Sequence, residues 1–115
     1  MSYGKNVKYN KLVRDKIPEI IAGNDDLEIE TKVLSREEAI TELKKKIVEE
    51  GEELISSNKL DDIKDELADI QEIIYALERE TGIKREEVEE IRKTKAKKRG
   101  GFEKRTFLIE TKGKK

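Results

Sequence analysis

The sequence predicts a mainly α fold: an antiparallel helical hairpin or bundle, with a short N-terminal helix and room for a small two-stranded β element. Two observations predict it. Ile40, Leu43, Ile47 and Leu54 recur at 3-4 spacing, as do Leu60, Ile63, Leu67, Ile70, Ile74 and Leu77, the period of a helix with one apolar face. Only the break "SSNKLDD" separates the two runs, and so short a connection makes the helices antiparallel neighbours.

The elements follow in order. Residues 1–11 are polar and read as a loose start. In "RDKIPEIIAGN", Asp15 is placed to cap, Pro18 stands in the first turn and Gly23 ends the run, which predicts a short helix over 16–22. "LEIETKVLS" alternates Ile29, Thr31 and Val33, a strand pattern. Ser35 and Glu38 form a capping box that opens the first long helix. Thr81-Gly82 closes the second. A third helix over 84–98 has few apolar residues (Val88, Ile91, Ala96), and Gly100-Gly101 stops it. "RTFLIE" reads as a second strand, placed to pair with residues 28–34. Phe102, Phe107 and Tyr75 are expected to pack in the core rather than stack on a base. The whole of 1–115 is expected to form one domain, with its core in 35–105 and a disordered tail over 111–115.

Composition bounds the chemistry. Of 115 residues only 34% are hydrophobic, 46% are charged, and none is Trp. That is a thin core for one subunit, so part of the apolar surface is expected to be buried in a homo-oligomer, dimer or tetramer. The chain has no Cys and no His. Disulfides, thiolate ligands, imidazole bases and the Ser-His-Asp triad are thereby excluded, and a cytoplasmic location is the expectation. No apolar segment suits a signal peptide or a membrane span. The Lys and Glu content leans towards a thermophile.

Charge is not evenly spread. Residues 37–69 carry twelve acids against five bases, residues 93–105 seven bases against one acid, and residues 1–16 five bases against one. Within "KKKIVEEGEELI" the acids Glu49, Glu50, Glu52 and Glu53 crowd one short stretch, and like charges at helical spacing repel. Glu50 stands where the 3-4 pattern calls for an apolar residue, and a lone carboxylate there is costly unless it is paired or ligating. Glu50 and Glu53 share one helix face, as do Glu66 and Asp69 on the next helix. The hairpin can bring these four carboxylates around one point. Oxygen-only ligands suit Mg²⁺, or Mn²⁺, and disfavour zinc. Without metal, at least one of these carboxyl pKa values should rise. The plain alternative is two solvated, charged helix faces.

The pattern Glu49-Glu50-x-x-Glu53, twelve intervening residues, then Glu66-x-x-Asp69 resembles the signature of the MazG-like all-α nucleoside triphosphate pyrophosphatases. That superfamily includes phosphoribosyl-ATP pyrophosphohydrolase and dimeric dUTPases. The resemblance spans roughly residues 35–105, and "YNKLVRDKIPEII" with "KKRGGFEKRTFL" look like a house-cleaning branch. It implies a fold of the all-α NTP pyrophosphatase type. It also implies Mg²⁺ held by Glu50, Glu53, Glu66 and Asp69, with Glu49 steadying a second ion or orienting the attacking water. The implied reaction is attack at the α-phosphorus of a nucleoside triphosphate, releasing a monophosphate and pyrophosphate. Bases must then meet the phosphates, and Lys95, Lys98, Arg99, Arg14 and Lys16 are the candidates. Phosphoribosyl-ATP pyrophosphohydrolase of histidine biosynthesis is the nearest rival, although Tyr75 is followed here by Ala76 where that family usually shows a Tyr-His pair. A non-enzymatic helical module binding nucleic acid is the rival from another class. The acidic centre argues against it, because a phosphate-backbone binder needs a continuous basic face.

Overall fold

Residues 6–114 are described by the computed structural model; the first five residues of the polar start and the last residue of the tail lie outside them. The chain divides into two units, Met1–Ile83 and Lys84–Lys115. The first holds α1 (Ile17–Ala22), α2 (Arg36–Ser56) and α3 (Leu60–Thr81).

The start of α2 is the capping box read from the sequence. Ser35 Oγ accepts from the Glu38 N–H at 3.2 Å, and Glu38 Oε1 accepts from the Ser35 N–H at 3.0 Å. Both bonds satisfy donors that a helix start leaves free. The bond from the Ser35 backbone is the main reason the Glu38 carboxyl sits below its ordinary pKa. At the other end the Ser57 N–H donates to the Leu54 carbonyl at 3.1 Å, and Ser57 Oγ donates to the Glu53 carbonyl at 2.9 Å. The chain then turns within a few residues into α3, which packs back along α2. Gly82, at φ 77°, closes α3 in the left-handed conformation that a side chain would oppose.

The core is narrow. Leu43 and Ile73, each 6% exposed, are the fully buried residues among those described. Ile40, Ile47 and Leu54 on α2, and Ile63, Ile70 and Leu77 on α3, are half-buried around them. On α3 the buried stripe differs from the expected one. Ile73 is inside, whereas Leu67 and Ile74 are exposed. The stripe therefore runs Ile63, Glu66, Ile70, Ile73, Leu77, still at 3-4 spacing but rotated about the helix axis.

Three further expectations are corrected. Lys16, not Asp15, takes the N-cap of α1, without a side-chain capping bond. Neither "LEIETKVLS" nor "RTFLIE" forms a strand among the described residues. Alternation alone does not make a strand, because the backbone groups need a ladder partner; Val33 is 99% exposed and Phe107 86%. Phe102 is 95% exposed, so neither Phe102 nor Phe107 packs in a core within the chain.

The second unit is α4 (Arg85–Arg99) and the residues after it. The Glu87 carboxylate accepts from the Lys84 N–H at 3.0 Å. Glu86 and Glu87 lie in the first turn, and Lys97, Lys98 and Arg99 in the last. Both placements suit the helix dipole. Arg92 holds Glu89 through three hydrogen bonds of 2.6 to 3.1 Å.

Removing the Ser35 hydroxyl tests the cap. Ser35→Ala should lower unfolding free energy by about 1 kcal/mol, read as a fall in the urea midpoint with an unchanged slope.

Candidate active site

Each long helix of the hairpin interrupts its apolar stripe with one glutamate. On α2, Glu50 stands between Ile47 and Leu54; on α3, Glu66 stands between Ile63 and Ile70. Antiparallel packing sets the later part of α2 against the earlier part of α3, and the two interruptions meet. Glu53, one turn beyond Glu50 and exposed, completes the group. Carboxylate oxygens of Glu50, Glu53 and Glu66 all lie within 4.8 Å of one another.

This cluster lacks donors. Glu50 Oε2 and Glu66 Oε2 are shut off from solvent and have no hydrogen-bond partner. Ionised carboxylates only accept, so two of them side by side repel until one takes a proton. The Glu66 carboxyl is accordingly pushed up to about 7. The largest cause is the hydrogen bond to Glu50 that Glu66 would gain on taking a proton. Desolvation comes next, followed by the bond to Glu53 and repulsion from both neighbours. All the ligand atoms offered are oxygens, and two are buried without a partner. That arrangement fits a hard divalent cation.

The cluster opens onto a cleft of ≈ 470 Å³, whose walls include Glu49, Glu52, Ser57 and Asp62. Two more of the sequence candidates stand beside the cluster, each paired with a base. Glu49 faces Lys11 Nζ at 3.8 Å and Lys46 Nζ at 3.9 Å. Asp69 is not one of the three clustered acids; its Oδ1 accepts from Arg14 Nη2 at 2.6 Å. Three of the four expected ligands are thus together, and Arg14 holds the fourth. Lys16 is exposed at the N-cap of α1. Lys95, Lys98 and Arg99 are exposed on α4, in the second unit.

Sequence reasoning missed Asp62, Ser57 and Lys11. Asp62 was within reach, because it precedes Glu66 by four residues and so shares its face. Nothing in the spacing marked Ser57 or Lys11.

The pH dependence of stability tests the cluster. The folded-state pKa of Glu66 lies above its unfolded value, so the folded chain binds the extra proton. In chelator, the stability that Glu66 contributes should therefore be full below about pH 4.5 and be lost as pH rises through about 7. Thermal melts of Glu66→Gln should lack that decline.

Comparison with known families places the chain as follows. The sequence profile of phosphoribosyl-ATP pyrophosphohydrolase covers residues 24–96, more than half of the chain. Glu49, Glu50, Glu53, Glu66, Asp69 and Lys95 lie inside that stretch; Lys11, Arg14, Lys16, Lys98 and Arg99 lie outside it. No curated protein and no solved structure matches the chain.

Proposed function

The chain belongs to the phosphoribosyl-ATP pyrophosphohydrolase family of MazG-like all-α pyrophosphatases, and on that footing we propose that it is a Mg²⁺-dependent nucleoside triphosphate pyrophosphohydrolase. The observation that carries the proposal is the cluster of Glu50, Glu53 and Glu66, unneutralised and inside the matched stretch. Water adds to the α-phosphorus, the bond to the α–β bridging oxygen breaks, and pyrophosphate leaves with that oxygen.

Glu50, Glu53 and Glu66 would hold the divalent ion, with Asp69 as a fourth ligand; Mn²⁺ would serve in place of Mg²⁺. When bound, such an ion supplies charge for the phosphate oxygens and acidity for a coordinated water. The protein's own groups do the rest. Glu49, outside the cluster and half exposed, would steady a second ion or orient the attacking water. Arg14 and Lys16 would supply positive charge for the phosphates from the first unit.

House-cleaning of aberrant nucleotides is the role we favour, on the "KLVRDKIP" block and on Ala76 after Tyr75. The matched profile carries the name of the phosphoribosyl-ATP enzyme and is compatible with either substrate. Both substrates lose pyrophosphate at the same α–β bond, and only a substrate panel separates them. Pyrophosphate release should depend on Mg²⁺. It should be faster from one or more damaged or deoxynucleoside triphosphates than from phosphoribosyl-ATP, and Glu50→Leu should abolish it. In chelator the same variant should melt higher than the native chain, since it completes the apolar stripe and removes a repelling charge. An active Glu50→Leu protein, or one that melts lower in chelator, would make Glu50 an ordinary structural acid.

A homo-oligomer, dimer or tetramer, belongs to the same proposal. Val48, Ile55, Leu60 and Leu67 on the hairpin are all more than half exposed, and a chain with so little buried has much to gain by covering them. Light scattering at micromolar concentration should give at least twice the 13.3 kDa chain mass.

A further inference from the structure

The segment before α1 touches the acidic site at two points. Lys11 lies against Glu49 on α2, and Arg14 donates to Asp69 on α3. Asn10, at φ 45°, turns the backbone just before this pair of contacts. Leu12 and Val13, between the two bases, are half-buried. The 2.6 Å bond from Arg14 Nη2 occupies Asp69 Oδ1, and Asp69 is absent from the group of three whose oxygens lie within 4.8 Å of one another.

We infer that Arg14 is a latch on the metal site: its guanidinium holds the Asp69 carboxylate by one oxygen, and its release lets Asp69 turn to join Glu50, Glu53 and Glu66 as a ligand. The inference rests on the metal reading above, but it concerns a residue outside the matched family stretch. An arginine suits the task. It donates a charge-assisted bond to a carboxylate and keeps its charge at any pH the protein meets. Both partners are substantially exposed, at 56% for the Arg14 side chain and 39% for that of Asp69. Water can therefore replace the bond, and the latch is a modest one. Once released, Arg14 is a free guanidinium beside the site, which gives a triphosphate a donor that the resting chain keeps engaged. The latch makes ion binding and phosphate binding mutually supportive, because each favours the same parting of Arg14 from Asp69.

Calorimetric titration of the full chain with MnCl₂, without nucleotide, tests this directly. Arg14→Gln should bind Mn²⁺ about two- to fivefold more tightly than the native chain, the range an exposed ion pair allows. Lys16→Gln removes the same charge nearby and should have a smaller effect. In an Asp69→Asn background, Arg14→Gln should change affinity no more than Lys16→Gln does. Weaker Mn²⁺ binding by Arg14→Gln would make Arg14 a support for Asp69 and overturn the latch, while leaving the metal reading intact. An equal gain in both backgrounds would reduce Arg14 to a general field effect and overturn it too. No Mn²⁺ binding to the native chain would overturn the metal reading and the latch together.

Discussion

Two carboxylates that repel each other sit on the faces by which α2 and α3 adhere, and much of this structure follows from that conflict. The hairpin has to pack through stripes that each contain a glutamate. Its fully buried pair, Leu43 and Ile73, lies seven residues from Glu50 and Glu66 respectively, about 10 Å along each helix. In an antiparallel pair these two separations run the same way, so one register seats Leu43 near Ile73 and brings Glu50 to Glu66. The apolar end supplies cohesion and the acidic end consumes part of it. A slip of the register would part both pairs at once, so the packing that stabilises the hairpin also aligns the site.

The sequence disclosed the helices and most of the site through spacing. Ser35 and Glu38 marked the start of α2 because capping is local chemistry, complete within four residues. Glu50 was conspicuous because a regular apolar series skipped to it. Glu66 was noticed for its spacing to Asp69, but its burial was not foreseen, since Leu67 and Ile74 offered an equally regular stripe one position away. Which stripe turns inward depends on what the partner helix presents, and a single helix does not record that.

What stayed hidden was long-range. The contact between Arg14 and Asp69 spans 55 positions, and no periodicity encodes it. The strand patterns at "LEIETKVLS" and "RTFLIE" misled for the same reason: alternation describes a surface for pairing, and the partner must come from elsewhere. Phe102 and Phe107 show the converse, apolar residues that find no burial within their own chain. The matched profile divides along this line. It covers the hairpin, where chemistry and packing share one register, and omits the N-terminal segment that sets counter-charges against it.

The three-carboxylate cluster has a consequence in redox chemistry. Carboxylates have no sulfur or imidazole to lose electrons, and the chain carries no Cys, no His and a single Met at position 1. The oxidation ladders that disable thiol and thioether sites have no foothold at this one. Peroxide would leave the carboxylates of Glu50, Glu53 and Glu66 chemically unchanged. The cluster would keep its composition under oxidative stress, with no reductase needed to restore it.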